Sequence, residues 1–140
     1  MKNDGETNLL IDYYVGAYGP TIRIDIRSFE GLIKLKSLFM RLAEAEVRKV
    51  DVSQLNSVVI TGIKSLVLEL IPENQFYEKS LELIGDDREG AVFRWSKCRS
   101  GWIHCAGLID GLIDANSPAH QYLTNEGIDD ALVEVSFLEA

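Results

Sequence analysis

Beyond Arg99 the chain contains no lysine and no arginine, although seven acids lie there. Cysteine occurs only twice, proline three times and histidine twice, and no apolar run approaches the roughly eighteen residues of a membrane span. The longest, around Val58 to Ile60 and Leu66 to Leu68, is broken by Gly62, Lys64 and Glu69. A helical membrane span is excluded, and no membrane partner is expected. The opening Met-Lys-Asn-Asp-Gly-Glu has no apolar signal-peptide core, which predicts a cytoplasmic chain with Cys98 and Cys105 as free thiols. Neither CxxC nor HExxH spacing occurs, and no glycine pattern matches a P-loop or a dinucleotide fingerprint. No metal and no cofactor is expected.

What is present is the composition of an ordinary globular chain: 140 residues, 46% hydrophobic and 26% charged. That is enough for one well-buried core, so a single α+β domain over 1–140 is predicted, with 1–7 frayed. The net charge is −8. Through residue 70 nine acids face nine bases, so the whole excess lies in the second half. Phosphate binding needs a basic footprint, and nucleic acid is therefore not an expected partner. A basic protein is.

Period-2 patterning predicts strands at Asn8 to Val15 and Thr21 to Arg27, joined as a hairpin through Gly16-Ala17-Tyr18-Gly19-Pro20. Ile22, Ile24 and Ile26 share the buried face of the second. Ser28 is a suitable N-cap for a helix running to about Val47, with Phe29, Leu32, Ile33, Leu35, Phe39, Leu42, Ala43 and Val47 on one arc. Further strands are predicted at Val50 to Ser53, Val58 to Thr61, Lys64 to Ile71, Phe76 to Ile84 and Ala91 to Lys97. The last two flank a polar connection, Gly85 to Gly90. A second helix runs from an N-cap at Ser100 to about Asp114, followed by strands at His120 to Thr124 and Ala131 to Phe137. The expected architecture is a mainly antiparallel sheet covered by two helices. Strand, capped helix and strand recur as Thr21 to Ser53 and as Ala91 to Thr124.

The second helix is the most distinctive stretch. Gly107 and Gly111 lie on its outer arc with His104, Asp110 and Asp114, where two glycines cost about 1 kcal/mol each relative to alanine. A bare strip of this kind would let another backbone approach closely. With the hairpin-tip acids Asp86, Asp87 and Glu89, and with Glu126, Asp129 and Asp130 in the last turn, these residues form the predicted partner-binding set. Solvated acids at turns are, however, ordinary. A nucleophile pair can be written from Cys98 and His120, and a small cytoplasmic hydrolase using Cys98 or His120 is the alternative reading, beside a subunit that only assembles with itself or a larger complex.

The segment Pro118-Ala119-His120-Gln121-Tyr122-Leu123-Thr124, followed by Asp129-Asp130-Ala131-Leu132-Val133-Glu134-Val135-Ser136, resembles the ends of some immunity proteins of bacterial polymorphic-toxin and contact-dependent growth inhibition systems. The resemblance covers about the last fifth of the chain. It implies a noncatalytic cytoplasmic inhibitor of a toxin domain delivered by a neighbouring cell. For a toxin that is a basic nuclease, an acidic surface can occupy the cationic substrate site.

Overall fold

Ile22, Ile24 and Ile26 set the phase of the molecule: all three are buried, and the strand that carries them, β2 (Gly19–Ile26), lies inside a sheet. The computed structural model describes residues 9–75, 79–124 and 128–139, with Asp87 described by its backbone. β1 (Leu9–Gly16) pairs antiparallel with β2 around the two-residue turn Ala17–Tyr18, so the first hairpin forms as its sequence predicts. Next come α1 (Phe29–Ala43), β3 (Lys49–Asp51), a 3₁₀ turn at Val52–Gln54, β4 (Val58–Ile60) and β5 (Ser65–Leu70). A second hairpin, β6 (Leu81–Asp87) and β7 (Gly90–Lys97), leads into α2 (Arg99–Ala115), β8 (Ala119–Tyr122) and β9 (Leu132–Phe137). Part of the strand predicted from Phe76 falls on 76–78, and the frayed start on 1–7, both outside the described residues.

The expected polar connection at Gly85 to Gly90 is mostly strand. A bulge between Leu83 and Gly85 keeps β6 in register with β7 to the pair Asp87↔Gly90. Gly90 closes the turn at φ +120, and a Cβ there would come within 3.2 Å of the Lys64 backbone nitrogen. Only glycine fits both demands.

The described residues form two mixed sheets rather than one, with order β4-β1-β2-β9-β8 and β3-β5-β7-β6. Four ladders among the described residues are antiparallel and three are parallel. Each sheet joins a hairpin from one half of the chain to a strand pair from the other. β2 runs parallel to β9 as β7 runs parallel to β5, over six residue pairs each time, and β8 flanks β9 as β3 flanks β5. The recurrence seen in the sequence is thus a pseudo-two-fold arrangement with exchanged strands.

The helices obey the same relation. Ser28 and Cys98 are corresponding N-caps, and buried Leu32, Leu35, Phe39 and Leu42 match Trp102, Cys105, Ile109 and Leu112 at a shift of 70 positions. Ser28 Oγ accepts from Gly31 N at 3.1 Å; Cys98 makes no such side-chain bond, and it stands where Ser100 was expected. α1 ends at Ala43, short of Val47, because Ala45 adopts a left-handed conformation (φ 60) and Glu46 folds back onto Arg41 at 3.1 Å.

Phe29 and Ile33 correct the predicted buried arc, being 48% and 44% exposed. At 100° per residue they lie about 60° and 100° from Leu32, on the side away from Leu35, outside the stripe that faces the core. At the centre of that core Phe39 stacks on Trp102 and meets Trp95 edge-on, with ring centroids 5.4 and 5.7 Å apart. Trp102 Nε1 donates to Glu69 O at 3.1 Å, whereas the buried Trp95 Nε1 has no partner among the described residues. No helix of the described residues is long and apolar enough to cross a membrane.

Candidate functional site

Because side chains alternate along a strand, burying Ile22, Ile24 and Ile26 sends Thr21, Arg23 and Asp25 to the opposite face of the five-stranded sheet. The strand registers extend this face into rows. One runs Asp12, Arg23, Glu134, Tyr122; the next runs Leu10, Asp25, Ser136, His120. The third holds Tyr14, Thr21 and Leu132. β9 is buried on both faces, so Glu134 is only 8% exposed although it points away from the core.

A buried carboxylate needs donors. Tyr14 Oη supplies one, donating to Glu134 Oε1 at 2.7 Å. Burial, then the bond and charge of Glu134, push the Tyr14 phenol up to about 12, so it stays a donor at neutral pH. One row away, His120 Nδ1 lies 3.0 Å from Glu139 Oε2, and its ring packs edge-on against Tyr122 at 5.6 Å. The bond to Glu139 raises the His120 pKa; partial burial opposes this, and the charges of Glu139 and Glu134 add to it. Ligand atoms of His120, Glu134 and Glu139 all lie within 4.8 Å of one another. Arg23 is held by Ser136 Oγ at 3.2 Å and by Asp25, rather than by Glu134. Tyr18, His120, Tyr122, Thr124 and Leu132 line a shallow cavity of about 370 Å³ beside the cluster.

The other half of the molecule provides an internal control. At the equivalent positions the four-stranded sheet carries Glu82, Arg94, Val67 and Asp51 in one row, and Ser96, Glu69 and Lys49 in the next. The serine–carboxylate bond is common to both, with the roles exchanged: Ser136 to Asp25 at 3.3 Å, and Ser96 to Glu69 at 3.1 Å. Buried Glu134, however, is replaced by Val67, His120 by Lys49 and Tyr122 by Asp51. The tyrosine, histidine and glutamate group is therefore not a consequence of the architecture.

The predicted partner-binding residues fall at three separate places. His104, Gly107, Gly111 and Asp114 are exposed on α2, and a Cβ at either glycine would meet none of the described residues within 4 Å. The open strip exists, but Asp110 on its edge is paired with Lys36 of α1 at 2.8 Å. Asp86 is exposed at the second hairpin, and Glu89 pairs with Lys64 at 3.0 Å. Glu126 and the Asp87 side chain lie outside the described residues.

Asp129 and Asp130 have a structural role that their position in a turn did not suggest. Asp129 Oδ1 accepts from the backbone nitrogens of Ser80 and Leu81, at 2.7 and 3.0 Å, and Asp130 Oδ2 accepts from that of Leu83 at 2.8 Å. They cover the edge of β6 where β4 covers that of β1 in the other half. Lys79 Nζ also reaches Asp130 at 2.7 Å, and this bond, with that from Leu83, holds the Asp130 carboxyl below its ordinary pKa.

The Cys98–His120 pair is not assembled. Seventeen residues of α2, about 25 Å of helix, separate Cys98 from Ala115, and the five steps from Ala115 to His120 span at most about 17 Å. The Cα atoms of Cys98 and His120 are therefore at least about 8 Å apart, and the two side chains have separate partners: Cys98 Sγ lies 3.2 Å from Ser100 Oγ, and His120 Nδ1 lies 3.0 Å from Glu139 Oε2. Burial pushes the Cys105 thiol up to about 11 and makes it inert. A larger open groove of about 610 Å³ beside α1 has Lys34 as its one charged lining residue among the described residues. Tyr14, Tyr18, Glu134 and Glu139 were missed because no spacing rule connects them; only Glu134, the lone charge between Val133 and Val135 in an apolar strand, left a trace in the sequence. Comparison with protein-family models, with curated protein sequences and with solved structures returned no match.

Proposed function

We propose that the protein is a noncatalytic immunity protein that binds and neutralises a basic bacterial toxin domain in the cytoplasm, using the open face of the five-stranded sheet. The observation that carries the reading is the exposure of Tyr14, Tyr18 and Tyr122 around the nearly buried Glu134, on one half of the molecule only. Tyrosine presents a large rigid contact area with a polar tip, and aromatic side chains are what protein interfaces concentrate at their centres. The net charge of −8, all of it contributed by the second half, steers a cationic partner toward the molecule. The exposed Asp86 and Asp114 add to that field from the hairpin and from α2. The C-terminal resemblance names the class of partner.

The test is co-expression with the variable C-terminal domain of any large secreted protein encoded by a neighbouring gene, scoring rescue of growth and co-purification. Tyr18→Ala with Tyr122→Ala should weaken the complex by at least 2 kcal/mol, about thirtyfold, while thermal stability changes little. Association should slow steeply as salt rises to physiological levels. If the double variant binds like the unaltered protein while Gly107→Leu does not, the docking face is the strip on α2. Salt-independent association would remove the electrostatic part of the reading.

A further inference from the structure

The geometry points to a divalent transition-metal site formed by His120, Glu134 and Glu139 on the open face of the five-stranded sheet. The ligands come from three places: His120 from β8, Glu134 from the centre of β9, and Glu139 two residues beyond its end. Their ligand atoms lie within 4.8 Å of one another, and His120 Nδ1 and Glu139 Oε2 are 3.0 Å apart. Ligands about 2.0–2.1 Å from a tetrahedral ion stand roughly 3.3 Å from each other, so the group needs only small rotations of the two half-exposed side chains to close on one.

Glu134 is the anchor. It is 8% exposed, sits on a strand hydrogen-bonded on both sides, and has Oε1 held by Tyr14. Its Oε2 has no protein donor among the described residues, and neither Glu134 nor Glu139 has an ion pair with lysine or arginine there. A buried carboxylate with one oxygen fixed and the other open, facing a histidine and a second carboxylate, is a ligand supported from behind. Two carboxylates this close also repel each other, and one protonated imidazole neutralises only half of their charge.

Chemistry selects the ion. Imidazole with two carboxylates suits Zn²⁺, Mn²⁺ or Co²⁺ better than Ca²⁺ or Mg²⁺, which prefer oxygen alone. Three protein ligands on an open face leave a fourth position for water or for a donor from a bound protein. Binding requires a free Nδ1 lone pair on His120: the metal takes that lone pair, the hydrogen bond to Glu139 breaks, and a proton carried by Nδ1 passes to solvent from the protonated ring or to Nε2 in the neutral one. The equivalent positions in the other sheet, Lys49 and Val67, cannot form such a site.

Tag-free protein stripped with a chelator is titrated with ZnCl₂, without any toxin, by calorimetry and by NMR of the two histidine rings. One saturable equivalent is expected, with His120 signals shifting and those of His104 unchanged. His120→Ala and Glu139→Gln should each weaken binding by about tenfold or more, and Tyr14→Phe by about tenfold through loss of its hold on Glu134. His104→Ala, on the exposed face of α2, should bind as the unaltered protein does. Binding should also weaken as pH falls below the His120 pKa. Absence of saturable binding, or binding that survives both His120→Ala and Glu139→Gln, would overturn the assignment.

Discussion

At the scale of single residues, the open sheet face makes its ionisable groups testable one at a time. The hydrogen bond from Glu139 raises the His120 pKa above its ordinary 6.5, so protonated His120 stabilises the fold at pH values below the unfolded pKa. That contribution is lost as pH rises through the raised folded value. Glu139→Gln should return the His120 titration, followed by NMR, toward 6.5, and a titration that does not move would show that the bond is absent in solution. Asp130 behaves in the opposite sense. Its pKa is lowered by Lys79 and by the backbone of Leu83, so its contribution is present above the ordinary carboxylate value and disappears as pH falls through the depressed one. The two cysteines should separate cleanly as well: a thiol reagent should label Cys98 in the native protein and reach Cys105 only on unfolding. Equal labelling rates would contradict the buried position of Cys105 in α2.

At the scale of elements, α2 and the edge of β6 give contrasting expectations. Gly107 and Gly111 face open space with helical backbone angles, so Gly107→Ala and Gly111→Ala should each stabilise the chain by about 0.5–1 kcal/mol in urea denaturation. A loss of stability would mean that the strip is occupied, with self-association the first explanation to examine by sedimentation. The Asp110–Lys36 pair is half-exposed and worth about 0.2–1 kcal/mol, so its removal should hardly register. Asp129→Ala is different. It strips the acceptor from the Ser80 and Leu81 nitrogens at once, and a cost of about 1–3 kcal/mol is expected from the same measurement. An Asp129→Ala chain as stable as the original would show that water serves that edge equally well.

At the scale of the whole molecule, strand exchange decides how the protein unfolds. Each sheet needs strands from both halves, and Phe39 of the first half is enclosed by Trp95 and Trp102 of the second. Neither half can bury its apolar face alone. Far-ultraviolet dichroism and the fluorescence of the two tryptophans should therefore follow one coincident transition. Phe39→Ala should lower its free energy by about 3–5 kcal/mol, a large share of the stability of a domain this size. Two resolved transitions would show that the halves fold independently despite their exchanged strands.

Local periodicity determined much of this protein from the sequence alone. The inward phase of Ile22, Ile24 and Ile26, the cap at Ser28, both hairpins, and the bare strip of Gly107 and Gly111 depend on residues within one or two turns or strand lengths of each other. The sequence also showed the recurrence of strand, helix and strand, and the acidity of the second half. Tertiary structure decided which halves exchange strands, because the parallel pairing of β2 with β9 joins segments about a hundred residues apart and no local pattern specifies it. It also decided that Phe29 and Ile33 stay outside the core, and that Asp129 and Asp130 satisfy a strand edge rather than face solvent. The same long-range pairing sets Tyr14 against Glu134, 120 positions away, and brings His120 to Glu139 across a sheet edge. Whether a carboxylate is solvated or buried is a property of what packs around it, and the packing of that face exists only once both halves have folded together.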